Sequence, residues 1–386
     1  MNNCFSKILK IIILLLIFFR FGYYNKYTIN FNSGHDEIIL EEKEYKSFDA
    51  LKKKTNAPPI INLLEKINII KHLFAKKIEN FKRRKNLIHI TVSLNNAENY
   101  IYVLYVSMFS LLSNCNKRKT FIIYHLLCTP DFKESFIKIY KSLFNHFSHN
   151  LEMIFYNMGD HFMNRKDPHF SQATYYRLLS PIFIDTDRLI HLDGDTLIFS
   201  DLNEMYNLDF NDNYMLGFCD VFSAGIDYLG IKSTIYINAG VALFNLEKMR
   251  KDNKTFELLN LTNSNVSLIS VDQTALNFVL YPKIGRLPCK FGIFNFEDNS
   301  DLNFYLKLIR TKVPLEELKE AFNKPAIIHF QLCYPKPWFY NSLYKKEYTN
   351  CGQRHNCSCA KYFDFWHSIA NNTDYYEEMK NLMDIK

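Results

Sequence analysis

In the segment Arg188-Leu-Ile-His-Leu-Asp193-Gly-Asp195-Thr-Leu-Ile-Phe199, an apolar run leads into two carboxylates one residue apart. The apolar run predicts a buried strand that ends at Asp193. Ligands of α/β sheets bind beyond the carboxyl ends of the strands, so the two carboxylates can face one ligand there. Gly194 between them permits a close approach. Hard divalent cations prefer oxygen ligands and bridge to phosphates, so the segment predicts a metal site.

Short apolar runs alternate with amphipathic stretches on the amino-terminal side of this segment. Strands are predicted over 87–92, 120–127, 151–156 and 188–192, and helices over 100–112, 132–147 and 172–184. Such alternation is typical of an α/β fold. We therefore expect a largely parallel sheet with helices on both faces.

The composition is that of a globular chain. Its 386 residues allow two or three domains, or one large α/β domain with extensions. Hydrophobic residues make up 48% and charged residues 23%, which excludes wholesale disorder. The net charge is +7, but residues 71–85 hold seven basic and one acidic side chain, a local charge of +6. The remainder is nearly neutral, and no nucleic-acid partner is predicted.

The amino-terminal segment indicates a membrane signal. Lys7 and Lys10 precede an apolar run over 11–19, which Arg20 closes. Counted over 8–24, the segment has about 17 residues, the lower limit for a membrane-spanning helix. No small-residue cleavage site follows, which favours an uncleaved signal anchor over a cleaved signal peptide or a chance apolar helix. We expect a single-pass type II protein of the Golgi or ER membrane with a luminal catalytic domain, or alternatively a secreted protein.

A basic amphipathic helix is predicted in the region that follows. Apolar side chains share one helical face at Leu63, Ile67, Ile70, Phe74 and Phe81. The other face carries lysines. We predict that the lysine face is exposed to solvent, while the apolar face packs on the domain or forms a coiled coil. The alternative is that the lysine face binds an anionic surface.

Cysteine usage fits a luminal location. Without Cys4, eight cysteines remain, an even number that is open to disulfide pairing. Cys351, Cys357 and Cys359 cluster near the carboxyl terminus and predict a local disulfide staple. A zinc site completed by His355 is the alternative. Asn-x-Ser/Thr sequons occur at Asn253, Asn260, Asn265, Asn356 and Asn371.

Two chemistries use a D-x-D segment of this shape. In phosphatases of the haloacid dehalogenase type, the first Asp of D-x-D-x-T is the nucleophile, and residues 193–196 fit that pattern. That motif opens the first strand of its domain, whereas about three predicted strands precede it here. Its downstream acidic pair is only weakly matched by Glu297-Asp298 and Asp301. The other chemistry is metal-dependent transfer from a nucleotide sugar.

Six segments between Leu87 and about Phe339 occur in the order typical of one family. They are Asn99-Tyr100, His169-Phe-Ser-Gln-Ala-Thr-Tyr-Tyr-Arg177-Leu-Leu, Leu192-Asp-Gly-Asp-Thr196, Tyr236-Ile-Asn238-Ala-Gly240-Val-Ala-Leu-Phe-Asn245-Leu, Asp272-Gln273, and His329-Phe330 with Lys336-Pro337-Trp338. Through them the chain resembles glycosyltransferase family 8, which includes glycogenin and bacterial lipopolysaccharide glucosyl- and galactosyltransferases. The resemblance implies a GT-A (Rossmann-like) nucleotide-diphospho-sugar transferase domain. It also implies a UDP-sugar donor of the UDP-glucose or UDP-galactose type, Mn2+, a glycan or glycoconjugate acceptor, and retention of configuration.

The resemblance also assigns roles on the metal and nucleotide side. Asp193, Asp195 and His329 match the metal ligands, and two carboxylates with one imidazole suit Mn2+. Lys336 would stabilise charge on the departing nucleoside diphosphate. Tyr100 matches the aromatic residue that stacks on the base, with packing in the core as the alternative.

Further roles concern the ribose and the donor sugar. Asn99 would lie near the ribose. Arg177, Asn238, Asp272 and Gln273 match the catalytic group that grips the sugar, with a structural ion pair as the alternative for Arg177. Gly240 would allow the backbone to approach the donor closely, or would form a tight turn.

The chain departs from the family pattern at one point. The family spaces His and Lys by six residues in H-F-x-G-x-x-K-P-W, whereas His329 and Lys336 are seven apart and the Gly is missing. A diphosphate loop of different shape is expected. The departure also leaves open a non-catalytic GT-A-like protein that binds glycans or acts as a scaffold.

The predicted organisation has four parts. Residues 1–25 form a cytoplasmic tail and signal anchor, and residues 26–85 form a stem with the basic amphipathic helix. The GT-A catalytic domain occupies 86–345, and a Cys-rich tail occupies 346–386.

Overall fold

The computed structural model describes residues 26–31, 38–42, 86–94, 100–129, 133–147, 150–158, 171–220, 235–264, 266, 268–294, 313–331, 336–338 and 360–384. The strands are β1 (Lys26–Phe31), β2 (Ile38–Glu42), β3 (Asn86–Leu94), β4 (Thr120–Cys128), β5 (Leu151–Asn157), β6 (Arg188–Leu192), β7 (Thr196–Ile198), β8 (Met215–Cys219), β9 (Ile237–Asn245), β10 (Ile284–Arg286), β11 (Ile293–Phe294) and β12 (Ile327–His329). The helices are α1 (Tyr100–Asn114), α2 (Lys133–Phe147), α3 (Ser180–Phe183), α4 (Asn203–Tyr206), α5 (Leu246–Lys251), α6 (Lys254–Asn263), α7 (Val271–Leu280), α8 (Leu315–Asn323), α9 (Ala360–Ala370) and α10 (Tyr376–Asp384).

A mixed sheet forms the centre of the domain, in the order β10-β8-β9-β6-β3-β4-β5-β1-β2. β3 runs parallel to β4 and β6, and β4 runs parallel to β5, as the sequence predicts. The expectation of a largely parallel sheet is wrong beyond β6, because β9 lies antiparallel between β6 and β8. β8 and β9 follow one another in the chain, and antiparallel neighbours need no crossover helix.

The sequence predicts most element positions correctly in the first half of the domain. The four predicted strands correspond to β3, β4, β5 and β6, and the first two predicted helices correspond to α1 and α2. The α-helix predicted over 172–184 is wrong in type, since Gln172–Leu179 is a 3-10 helix followed by the short α3. Pro181 lies in the first turn of α3, where its missing N–H is tolerated.

Side chains alternate between the two faces of the sheet and fill two hydrophobic clusters. In β4, Ile122, Tyr124 and Leu126 join the cluster that also contains α1 and α2. Phe121 and Ile123 point into the other cluster, which contains residues of α5, α6 and α7. This period of two places apolar layers on both faces of the sheet and confirms the α/β architecture.

Part of the predicted stem joins the sheet. β1 pairs antiparallel with both β2 and β5, so these two segments of the predicted stem over 26–85 belong to the central sheet. Segments rich in β-branched and aromatic residues, such as Lys26–Phe31, favour strand pairing. The predicted anchor within 1–25 and the helix with apolar positions from Leu63 to Phe81 lie outside the described residues. Of the helices that are described, none has the length and apolar character to span a membrane.

Within the predicted Cys-rich tail, α9 and α10 pack on the domain. Trp366 is buried in the same cluster as α1. The Tyr102 hydroxyl of α1 donates to Glu378 at 2.6 Å, and His146 Nε2 of α2 lies 3.0 Å from Asp374 Oδ1. The cluster Cys351, Cys357 and Cys359 lies outside the described residues. Of the eight cysteines open to pairing, four carry buried thiols: Cys115, Cys128, Cys219 and Cys289.

A core substitution tests this packing. Ile190 of β6 is 0% exposed, so Ile190→Ala should lower the free energy of unfolding by about 2–5 kcal/mol, because a buried cavity forms. Ile269 is 53% exposed, and Ile269→Ala should stay within about 0.5 kcal/mol of wild type. Urea unfolding measures both values. Equal losses in the two variants would contradict the described burial.

Candidate metal centre and active site

Three strands converge at the end of β6. Asp193, the residue after β6, donates its backbone N–H to Gly240 of β9 at 2.7 Å. In the small sheet β11-β12-β7, Thr196 at the start of β7 pairs with His329 at the end of β12. Phe330 N–H donates to the Asp195 carbonyl at 3.0 Å. Strand register therefore brings His329 beside the two carboxylates, although 134 residues separate it from Asp195.

The predicted metal ligands form one cluster. Ligand atoms of Asp193, Asp195 and His329 all lie within 4.8 Å of one another. His329 Nε2 is 3.1 Å from Asp195 Oδ1 and 3.7 Å from Asp193 Oδ2. A Cβ on Gly240 would lie 2.5 Å from Asp193 Oδ2 and would also collide with His329, so the glycine leaves room for these two side chains. Two carboxylates and one imidazole are a ligand set that fits a divalent cation.

Neighbouring positive charges and hydrogen-bond donors keep both carboxylates ionised. Burial alone would raise the pKa of Asp193, but Arg177, His191 and His329 hold it well below its ordinary value. Burial opposes ionisation of Asp195 too, yet Lys336 and His329 lower its pKa to about 2. The cluster is therefore anionic at neutral pH, as a cation site requires.

Lys336 reaches the site in spite of its unusual spacing. Its Nζ lies 3.1 Å from Asp195 Oδ2 and 2.5 Å from the Phe330 carbonyl oxygen. The extra residue between His329 and Lys336 thus leaves the ammonium group beside the predicted metal ligands.

Arg177 links the predicted metal ligands to Asp272, which is buried. Its guanidinium donates from Nη2 to Asp193 at 2.9 Å and from Nη1 to the Ala239 carbonyl. Its Nε lies 3.0 Å from Asp272 Oδ2. Arg177 is buried, and the structural ion pair considered for it is present. Burial raises the pKa of Asp272, while Arg177 and the Thr174 hydroxyl oppose that rise.

A network of buried amides joins β9 to α7. Gln273 Oε1 accepts from Asn238 Nδ2 at 3.1 Å and from Ala239 N–H at 3.0 Å. Its Nε2 donates to Asp220 Oδ2 at 3.1 Å, and Asn238 Nδ2 also donates to Asp220 at 2.8 Å. Asn238 Oδ1 accepts from Gly240 N–H at 2.8 Å. These hydrogen bonds hold Asn238 and Gln273, two of the residues predicted to bind the donor sugar, in fixed positions relative to each other.

Tyr100 lies against the D-x-D turn. A Cβ on Gly194 would lie 2.9 Å from its ring, so the missing side chain allows this contact. Burial, followed by the charges of Asp195 and Asp193, raises the pKa of Tyr100 well above its ordinary value. The hydroxyl is protonated at neutral pH. Asn99 and His169 lie outside the described residues.

The structure adds three residues that the sequence analysis did not select. Asp220 directly follows β8, as Asp193 follows β6, so the same strand-end signal could have found it. His191 Nε2 lies 3.1 Å from Asp193 Oδ1 and gives no signal beyond its place in an apolar strand. Gln331 accepts a hydrogen bond from Asn238 and occupies the variable position of the H-F-x segment.

The mixed Rossmann-like sheet, the Asp-Asp-His cluster at its strand ends and the likeness to solved glycosyltransferases together indicate a GT-A fold. Residues 91–342 match the family model of Glycosyl transferase family 8, so the chain belongs to this family. It is a glycosyltransferase that depends on a nucleotide sugar. The resemblance stated from the sequence is confirmed, and neither the phosphatase nor the scaffold alternative is favoured.

The fold is similar to those of two solved glycosyltransferases. The apo WbbM bifunctional glycosyltransferase has a TM-score of 0.61 and 20% identity, over 78% of this chain and 52% of that one. The chain therefore spans about half the length of WbbM. The galactosyltransferase LgtC, with donor and acceptor sugar analogs, has a TM-score of 0.56 and 20% identity, over 76% of this chain and 100% of that one. General stress protein A of Bacillus subtilis (strain 168) is 26% identical over 226 residues, 56% of this chain and 73% of that protein.

Removal of Arg177 tests its bridging position. Arg177→Met leaves the buried Asp272 and the half-buried Asp193 without this cation, which should lower the free energy of unfolding by about 3–5 kcal/mol at pH 7. Arg286 pairs with Glu317 but is 26% exposed, so Arg286→Met should lose about 1 kcal/mol or less. Urea unfolding gives both values. Similar losses in the two variants would show that the ion pairs of Arg177 stabilise the fold no more than the pair of Arg286 with Glu317.

The stability difference between wild type and Arg177→Met should also depend on pH. Because the folded pKa of Asp193 is depressed, its contribution to stability is complete above the unfolded pKa of about 4 and is lost as the pH falls further. The stability difference between wild type and Arg177→Met should therefore narrow between about pH 4 and pH 2. A difference that stays constant over this range would contradict the assignment.

Proposed function

We propose that this chain is a retaining hexosyltransferase that moves a hexose from a UDP-sugar, of the UDP-glucose or UDP-galactose type, to a glycan or glycoconjugate. The observation that carries the proposal is the convergence of Asp193, Asp195, His329 and Lys336 at one edge of the sheet. The family supports a nucleotide-sugar donor. The solved LgtC complex holds donor and acceptor sugar analogs, which supports a similar pair of substrates here.

We infer that Asp193, Asp195 and His329 hold Mn2+. Bound there, the ion supplies positive charge against the donor diphosphate. Lys336 lies beside Asp195, where its ammonium group adds a second positive charge on the leaving-group side. Together these residues favour cleavage of the bond between the anomeric carbon and the diphosphate oxygen.

The amide network suits the donor sugar. Gln273 lies in a buried position, and its Oε1 already accepts two hydrogen bonds. An amide oxygen engaged in this way is a poor nucleophile. This supports departure and attack on the same face of the sugar over a covalent double displacement. Arg177, held by Asp193, Asp272 and a backbone carbonyl, acts as a positioning residue in this proposal.

We assign the base of the donor to the side of the D-x-D turn on which Tyr100 lies. Tyr100 packs on Gly194, where a neutral ring can stack on uracil. The role near the ribose stays with Asn99 as the family resemblance implies it.

We also propose the cellular arrangement and the domain boundaries. The apolar segment over 8–24 anchors the chain in the Golgi or ER membrane, and 86–345 is the luminal catalytic domain. The part of 26–85 outside β1 and β2 serves as the stem, because these two strands pair with the sheet of the domain. Exposed sequons at Asn260 and Asn371 are then available for glycosylation. Expression of the full chain in eukaryotic cells should give a glycosidase-sensitive mass shift that decreases in Asn260→Gln and Asn371→Gln. Membrane-free, unglycosylated protein would overturn this arrangement.

The decisive assay is nucleoside-diphosphate release from a panel of nucleotide sugars, with Mn2+ and with EDTA. Release from a UDP-hexose should require the metal and fall on the order of 100-fold or more in Asp195→Asn, because a metal ligand is lost. The melting temperature should change little.

Asp187→Asn is the matched control. Asp187 precedes the same strand β6 at its other end and is 79% exposed, so this variant should keep wild-type turnover. Turnover that is unaffected by EDTA and by Asp195→Asn would overturn the proposed function.

A further inference from the structure

The region matched by the family model ends at residue 342, whereas α9 begins at Ala360. Nevertheless α9 contacts Pro337 and Trp338, the residues directly after Lys336. We propose that α9 is a positioning element of the active site, in which His367 and Trp366 fix the backbone at 337–338 and so direct Lys336 toward the diphosphate. The inference rests on the proposed function of Lys336.

The first contact is a hydrogen bond from a side chain of α9 to the backbone. His367 Nε2 lies 2.8 Å from the Pro337 carbonyl oxygen. A carbonyl oxygen only accepts, so Nε2 carries the hydrogen and donates it. In the neutral ring, Nδ1 then accepts from the Tyr376 hydroxyl of α10 at 3.0 Å. The ring is thus oriented from both sides and holds residue 337 in place.

The second contact is aromatic. The rings of Trp338 and Trp366 lie 6.0 Å apart between centroids, and Trp338 also meets Phe330 edge-on at 6.1 Å. Both tryptophans are buried. Phe330 directly follows the metal-ligand candidate His329, so Trp338 is packed between the end of β12 and α9. Trp338 therefore packs against Phe330, beside the predicted metal ligands, and against Trp366 of α9.

These contacts restrict Lys336 in particular. Its Nζ lies 5.4 Å from the Trp338 ring centroid and 3.1 Å from Asp195 Oδ2. A lysine side chain has many rotamers, and an ammonium group gains most from a pre-fixed position. Support of the backbone on the carboxyl side of Lys336 reduces the freedom that donor binding must remove.

The chain contains two tryptophans, Trp338 and Trp366, and both lie in this contact. Intrinsic tryptophan fluorescence of the full chain therefore reports on this contact alone. If UDP with Mn2+ draws Lys336 away from Asp195, the cation over the Trp338 ring moves and the emission changes. Lys336→Met should abolish that change.

The test measures the dissociation constant of UDP in the presence of MnCl2 by calorimetry on the full chain. His367→Leu removes the donor to Pro337 and should raise this constant about tenfold, the scale of losing a supporting partner at a charged site. His367→Gln keeps an amide donor of similar reach and should stay within about threefold of wild type. His146→Leu is the matched control, because it removes a contact to Asp374 in the same carboxyl-terminal segment without touching 336–338.

A double-variant cycle separates positioning from a general loss of stability. In the Lys336→Met background, His367→Leu should have no further effect on the UDP constant, because its effect passes through Lys336. Three results would overturn this inference but not the proposed function. His146→Leu could weaken UDP binding as much as His367→Leu does, or His367→Gln could weaken it as much as His367→Leu. The third is that His367→Leu weakens UDP binding further in the Lys336→Met background. A wild-type chain with no metal-dependent affinity for UDP would overturn the proposed function, and this inference with it.

Discussion

The partial burial of two negative charges one residue apart is the constraint on which the rest of this site depends. Asp193 and Asp195 repel one another and lose hydration at the end of β6, and both effects oppose their ionisation. Arg177, His329 and Lys336 surround them with positive charge or hydrogen-bond donors. Each of these three residues comes from a different segment, so the folding of the surrounding domain and the ionisation of the two carboxylates depend on each other.

The same interactions connect the metal side to the sugar side. Arg177 holds the carbonyl oxygen of Ala239, while Gln273 accepts from the N–H of that residue. Residues 238–240 of β9 are thus bound on both sides by buried groups. A preorganised backbone of this kind loses little freedom when a substrate binds, which favours precise placement of the reacting atoms.

The sequence predicts local features well and distant pairings poorly. The strands β3 to β6 and the position of Asp193 follow from apolar periodicity and strand-end logic alone. The placement of His329 beside Asp195 depends on the register between β12 and β7, which no local pattern encodes, and only the family resemblance supplied it. Residues 172–179 form a 3-10 helix because tertiary contacts, such as those of Arg177, override a helical pattern. Asp220 was missed although it obeys the same strand-end rule.

The packing of α9 and α10 on α1 and α2 has a consequence for biosynthesis. The ribosome releases the amino-terminal part of the domain long before residues 360–384, which cover these two helices. Until that segment emerges, part of the apolar surface of the nascent domain stays uncovered and the backbone after Lys336 lacks its support. The contacts of α9 and α10 with the rest of the domain can therefore form only after residues 360–384 have left the exit tunnel.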